Sequence, residues 1–419
     1  MSQTAKNQAV LTPHKGMTFA GFVIMIGAFM AINSLSMDVM LPALPEIGST
    51  LGLENPNRAQ LIITAYLVGL GCTSLIIGPV SDWIGRKPIL MCGLAVYAVG
   101  TIVAALATSF EVMIGARLLQ GIGASAPRVM AFSIIRDWYN GRQMGRVMSL
   151  TMVVLMICPV IAPSMGQGVL LVADWEWIFH LLTVFTVIMV CLSYIKLPES
   201  LPIEERRGFT LPSLLNAYKS VLKTRVTLGY MIALTLVFAQ LFAFLNSAEQ
   251  IFADIFDRHE SFPLYFASMA VFMSIAAFLN ATLVEKYGLR RLSHIALIGF
   301  IAANMLSAIL SLTGSTSLVR FVVIQGVVYF FFGSIAPNFN SLAMDPLGKL
   351  AGAGSAMINF FTIFMAAVLG AIVGALYNGT LVPYAVGCFI YSLLAILTVL
   401  ITEKGRLFQS EPARPPSSE

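Results

Sequence analysis

The sequence predicts an all-α membrane protein, with twelve transmembrane helices in two pseudo-symmetric six-helix bundles. Three observations carry that prediction. The 419-residue chain is 58% hydrophobic and only 11% charged, whereas a soluble domain carries about 25% charged residues. Apolar runs of the ~20 residues needed to cross a bilayer recur along its whole length. The second half also repeats landmarks of the first: Asp82 with Gly85 returns as Glu285 with Gly288, and Arg117 as Arg320. Both recurrences are 203 residues apart (285 − 82 and 320 − 117).

In order, the first six spans lie near 17–42, 58–79, 89–107, 111–136, 145–172 and 177–197. The second six lie near 226–252, 263–284, 293–312, 318–343, 355–378 and 383–402. Connections are short except for 198–225, which opens on Pro198-Glu199-Ser200-Leu201-Pro202 and is charged and Pro-rich, as a linker between halves would be. The chain therefore divides into an N-terminal bundle (1–197), a cytoplasmic linker (198–225), a C-terminal bundle (226–402) and a tail (403–419). The tail ends Pro-Ala-Arg-Pro-Pro-Ser-Ser-Glu419, a composition that reads as disordered. Met17 begins a full-length span rather than a cleavable leader, so the first helix is expected to stay in the membrane.

Basic residues set the orientation. With the N-terminus cytoplasmic, 20 of the 25 Lys and Arg fall in inner segments, two (Arg58, Arg258) in outer loops and three (Arg117, Arg128, Arg320) inside spans. Both termini are then inside. That placement also accounts for the net charge of +5 without a nucleic-acid partner. The five cysteines lie far apart in apolar runs, with neither disulfide-framework nor zinc spacing. The four histidines are dispersed near span ends, and no hydrolase or metalloprotease motif is present. No catalytic site, metal or cofactor is expected.

Asp38 is the acid that stands out. It sits in the first span within Ser36-Met37-Asp38-Val39-Met40-Leu41-Pro42, ~6 Å below the outer end at Pro42. An ionisable side chain at such depth is expensive and points to function. A carboxyl withdrawn from water holds its proton more tightly, as a reversible proton carrier must. The other reading is an interfacial acid, or one permanently paired with a base of the fourth span. Arg117 lies ~9 Å inside that span, near the depth of Asp38, and an ion pair between them would couple proton binding to helix movement. Alternatively Arg117 is a static clamp, with Gly121 and Gly123 allowing close backbones.

Arg128 lies three turns further along, ~12 Å from the inner end. It reads either as a substrate contact or as a base snorkelling to the cytoplasm. Arg320 reads as a copy of Arg117 or as an interfacial anchor. The remaining candidate cavity residues are Asn33, Gln120, Asn246, Glu249 and Asn338, among many Phe. Walls of aromatic and amide groups suit bulky, partly apolar molecules. Glu249 reads as a second titratable group or as an acid already at the water surface, since Asp254 and Asp257 follow it. Pro159, Ala162, Pro163 and Gly166 are expected to kink the fifth span and pack it closely on a neighbour. Asp82, Gly85, Arg86 and Lys87, with Arg142 beyond the fourth span, form a charge network at the inner gate.

Four of these stretches carry a resemblance. Gly78-x-x-x-Asp82-x-x-Gly85-Arg86-Lys87 matches at every fixed position the loop signature of the major facilitator superfamily. Arg117-x-x-Gln120-Gly121 resembles its fourth-helix signature. Pro159-x-x-Ala162-Pro163-x-x-Gly166 resembles the antiporter signature Gly-Pro-x-x-Gly-Gly, with Ala162 and Gln167 as departures. Asp38-x-x-Leu41-Pro42-Ala43-Leu44-Pro45 resembles the bicyclomycin/chloramphenicol-resistance branch of bacterial drug/proton antiporters. The resemblance implies an inner-membrane exporter that exchanges protons for small, partly lipophilic compounds by alternating access, and a two-bundle transporter of 419 residues can work alone as a monomer. In that family an acid near the outer end of the first helix takes part in proton and drug exchange, which maps onto Asp38. The rival readings are an exporter or proton symporter of a native metabolite, and, more remotely, a non-transporting receptor.

Overall fold

The computed structural model describes residues 17–408 apart from 140, 207, 209, 259 and 260, and leaves undescribed the side chains of Pro56, Gly141, Arg142, Ser149, 152–156, Glu285 and Lys349. The described chain is helical throughout, with no strand. Its membrane helices are α1 (Phe19–Asp38), α2 (Leu61–Ile84), α3 (Arg86–Ala105), α4 (Phe110–Trp138), α5 (Gly141–Leu170) and α6 (Glu176–Lys196), then α7 (Arg225–Leu245), α8 (Phe262–Tyr287), α9 (Leu289–Leu312), α10 (Leu318–Met344), α11 (Ala351–Ala375) and α12 (Val382–Thr402). Eleven of the described helices are long and apolar enough to cross a membrane, and the remaining one, α5, contributes the shorter apolar stretch Ile157–Leu170. Two compact units result, Met1–Leu215 and Asn216–Glu419.

Local chemistry sets the helix ends. Ser109 Oγ accepts from the Val112 amide to cap α4, and Thr18 Oγ1 accepts from Gly21 to cap α1. Gly85, at φ 121°, separates α2 from α3 in a backbone conformation that a side chain would resist. Several details differ from the sequence expectation. Regular α1 stops at Asp38, and the chain continues through a 3₁₀ turn (Leu41–Ala43) into a short helix, Leu44–Thr50. The seventh span breaks at Asn246, whose Nδ2 donates back to Phe242 O at 2.9 Å, so 246–252 is not part of it. The linker contains a helix, Leu211–Lys223.

In the N-terminal unit, α4 is flanked closely by α2 and α3. A Cβ on Gly121 would overlap the Tyr66 carbonyl, and one on Gly123 the Tyr97 amide. In the C-terminal unit, the buried ring of Phe244 on α7 contacts Phe266, Phe321, Tyr329 and Tyr384 from α8, α10 and α12. Where the first unit centres on buried polar groups, the second centres on rings. Arg320 does not copy Arg117: it is exposed in the first turn of α10 and donates to Ser315 O at 2.6 Å. The buried polar echo is instead Gln325, which accepts from Tyr384 Oη at 2.9 Å.

The expected tail begins later than 403. Glu403 pairs with Arg290 at 3.2 Å and accepts from Tyr230 Oη at 2.7 Å, and the Phe408 amide donates to His294 Nδ1 at 3.2 Å. Residues 409–419 lie outside the described chain, as do the side chains of Arg142 and Glu285.

Candidate functional site

Asp38 closes α1, so its carboxyl sits at the helix C-terminus, where the backbone carries partial negative charge. The residue is 3% exposed. Among the described residues no hydrogen bond or ion pair reaches that carboxyl. A buried acid without a fixed partner is costly, and such groups are kept where they have work to do.

The outer end of α1 is held by α5. A Cβ on Gly166 would overlap the Val39 carbonyl oxygen and come within 3.1 Å of Pro42 Cγ. Gly166 thus lets the α5 backbone lie directly against the residue that follows Asp38. Ala162, one turn away, is fully buried. Pro159 and Pro163 both lie inside the continuous helix Gly141–Leu170.

Arg117 is fully buried and does not meet Asp38. Its Nη2 donates to Ser36 O at 3.0 Å, its Nε to Ile62 O at 3.3 Å, and its Nη1 to Gln120 Oε1. The guanidinium also lies over the Tyr66 ring at 4.7 Å and the Phe179 ring at 5.9 Å. Gln120 Nε2 donates to Thr101 Oγ1 at 2.8 Å, and Ser36 Oγ bonds Tyr97 Oη at 2.5 Å. One cation therefore ties α1, α2, α4 and α6 together, and Gln120 extends the network to α3. The expected ion pair is replaced by charge-assisted bonds to backbone carbonyls, which cost less than stripping a buried guanidinium of partners. Arg117 reaches Asp38 only through the α1 backbone, two residues away at Ser36.

The other candidates separate into two groups. Asn33 is 9% exposed, accepts from Tyr66 Oη at 3.1 Å, and leaves its buried Nδ2 without a partner among the described residues. Arg128 is half-buried and has no hydrogen bond or ion pair among the described residues. These two, with Asp38, retain unused polar capacity. By contrast Gln120 is 0% exposed and bonded at both ends of its amide, which places it in the packed interior rather than on a wall a substrate reaches. Asn338 exchanges two bonds with Asn280, at 2.7 and 3.1 Å. Asn246 caps α7. Glu249 lies beside the rim cluster in which Tyr377 Oη donates to Asp254 Oδ2 at 3.1 Å. There burial pushes the Tyr377 phenol above its ordinary value, and the Asp254 and Glu249 carboxylates push it further.

At the opposite end of the N-terminal unit, Arg86 is buried between two acids. It meets Asp82 at 2.5 Å and Asp137 at 3.0 Å, and donates to Ser81 Oγ at 2.6 Å. Glu199 accepts from the Arg86 amide at 2.8 Å and the Lys87 amide at 3.2 Å, capping α3 from the linker. A Cβ on Gly85 would fall 2.6 Å from Glu199 Oε2. Sequence reasoning found Asp82, Gly85, Arg86 and Lys87 but missed Asp137 and Glu199. Their only signal was being acids at the ends of α4 and α6, on the side where bases cluster.

Twelve membrane helices in two units, with a buried acid in the first that no described residue bonds, fit a polytopic membrane transport protein. The Major Facilitator Superfamily model matches residues 18–371, and the chain belongs to that family. It is 28% identical over 381 residues to a bicyclomycin resistance protein homolog of Haemophilus influenzae, covering 89% of this chain and 94% of that one. It is 29% identical over 326 residues to a chloramphenicol resistance protein of Pseudomonas aeruginosa, covering 77% and 76%. The human organic anion transporter MFSD10 shares the fold, with a TM-score of 0.61 at 18% identity over 91% of this chain and 98% of that one. The protein is a multi-pass membrane transporter of small molecules.

Proposed function

We propose that the protein exports small, partly lipophilic compounds in exchange for protons, by alternating access, with Asp38 as the proton carrier. The observation that carries this reading is the Asp38 carboxyl, 3% exposed and held by no partner among the described residues. A group committed to structure would be bonded; one that must gain and lose a proton each cycle is left without a permanent counter-charge. Protonation from the outside releases substrate outward, and deprotonation toward the inside readies the site for the next molecule. Arg117 fixes the Ser36 carbonyl and so sets the local course of α1, which makes it a positioning residue. Arg128 and the free donor of Asn33 suit a substrate carrying acceptor oxygens.

The drug-resistance names of two relatives support antibiotic-type cargo. The charge distribution supports a bacterial inner-membrane location with both termini cytoplasmic, and one chain carries both halves, so a monomer suffices. The test is transport in proteoliposomes under an imposed pH gradient, run across a panel of antibiotics and metabolites. Asp38→Asn should abolish gradient-driven movement while leaving energy-independent exchange of substrate across the membrane. Unchanged gradient-driven transport in that variant would remove Asp38 from the mechanism.

A further inference from the structure

The segment that follows α12 is fastened to the C-terminal unit in a way that transport chemistry does not explain. Lys404 and Gly405 take positive φ, 55 and 76°, and the Gly405 amide donates to Leu400 O at 2.8 Å, which ends the helix and turns the chain. Phe408 also has a positive φ, 63°. Asp257 is the only other non-glycine among the described residues that does so. A left-handed backbone is costly for a bulky side chain, so something must hold Phe408 in it.

His294, near the start of α9, is what holds it. The residue is 1% exposed, and both ring nitrogens are engaged. Nδ1 accepts from the Phe408 amide at 3.2 Å, and the two rings meet edge to face with centroids 6.0 Å apart. An amide can only donate, so Nδ1 carries no hydrogen and the neutral ring has its one N–H on Nε2. That N–H donates to Tyr230 Oη of α7 at 3.1 Å, and Tyr230 donates its own hydrogen to Glu403 Oε1 at 2.7 Å. Arg290 of α9 pairs with the same carboxylate oxygen at 3.2 Å. Each donor in this chain of bonds finds an acceptor only while the imidazole is neutral.

We propose that His294 is an acid-sensitive catch for residues 404–408, closed by the neutral imidazole and released when the ring takes up a proton. Protonation places a hydrogen on Nδ1, facing the hydrogen of the Phe408 amide, so an attraction becomes an opposition of two donors. Two charged groups face the ring, Glu403 from the end of α12 and Arg290 from α9. From α7 comes Tyr230, and α10 reaches only that tyrosine, through the uncharged ring of Phe339. Arg291, Lys404 and Arg406 are exposed. Glu403 and Arg290 are paired with each other and largely offset at the imidazole, so the lost Phe408 bond decides the sign. The costly backbone of Phe408 then favours release. The catch ties the end of α12 to α9, and acid on that side of the membrane loosens the tie. That this side is the cytoplasm rests on the orientation proposed above; the catch itself does not.

Fluorine NMR of the full-length protein in micelles, with para-fluorophenylalanine in place of Phe408, provides the test. Docked and released rings are counted from about pH 8 to about pH 5. A released His294 titrates near the ordinary imidazole value of ~6.5. Below about pH 6 the ratio of released to docked ring should therefore rise about tenfold per pH unit. H294N keeps an acceptor oxygen at the place of Nδ1 but takes up no proton, and should show the docked ring throughout. H294A removes the acceptor and should raise the released fraction already at about pH 8. A constant ratio in the unmutated protein overturns the proposal, and so does an acid response that survives in H294N. None of these measurements involves Asp38 or transport.

Discussion

Gly166 gives the sharpest mechanical test of how the fold positions Asp38. Gly166→Ala drives a methyl group into the Val39 carbonyl, whereas Gly168→Ala, two residues along the same helix, meets open space. Both changes gain the same helix propensity, ~1 kcal/mol in favour of Ala. That term cancels when the two variants are compared, leaving the overlap alone. A backbone oxygen cannot escape by changing rotamer, so α1 and α5 must part or the helix must bend, and overpacking of this kind costs ~1–3 kcal/mol. Taking ~2 kcal/mol, the folding equilibrium of the Gly166 variant should be about 30-fold weaker than that of its neighbour. Denaturant unfolding in mixed micelles measures the difference. Because Val39 follows Asp38, the parting also moves the carboxyl, and gradient-driven transport should fall in Gly166→Ala but not in Gly168→Ala. If both variants unfold at the same midpoint and transport equally, close contact between α5 and α1 does not position the acid.

Two further predictions test single contacts. Asn280→Leu or Asn338→Leu alone strands a buried amide and should cost ~1–3 kcal/mol, while the double variant should be nearly neutral, as measured by the same unfolding assay. Burial pushes the Tyr218 phenol of the linker helix up to about 12 from an ordinary 10.0. A raised folded value means this contribution to stability is complete below pH 10 and is lost as pH rises through about 12. The difference between tyrosinate absorbance titrations of the native protein and Tyr218→Phe should have its midpoint near 12; a midpoint at the ordinary value would show that the ring is not withdrawn from water.

Much of the molecule was legible in the residues because the bilayer simplifies the problem. Backbone groups have no water to bond inside the membrane, so each long apolar run must become a helix, and its length and flanking charges give its limits. The loop holding Gly78, Asp82, Gly85, Arg86 and Lys87 was equally plain, since charge and turn residues between two such runs have only one place to go. The linker helix shows a signal overlooked: its apolar spacing was present at 211, 214, 215, 218 and 222, but the whole of 198–225 was read only as a charged, Pro-rich linker. The break at Asn246 was hidden by Ala248, Ile251 and Phe252 beyond it, which continue the apolar run.

The sequence by itself determined the number of membrane helices and the division into two halves, and it placed Asp38 and Arg117 within spans. Only the tertiary structure decided what those buried groups touch. Arg117 turned from Asp38 to the carbonyls of Ser36 and Ile62, which every residue possesses and no residue type announces. Arg320, at the same offset as Arg117, surfaced on the first turn of α10, while Gln325 took the buried place. The reason is physical. Hydrophobic periodicity is a property of one helix and can be read along the chain. The partner of a buried charge depends on which neighbouring helix presents an oxygen within about 3 Å, and packing alone fixes that.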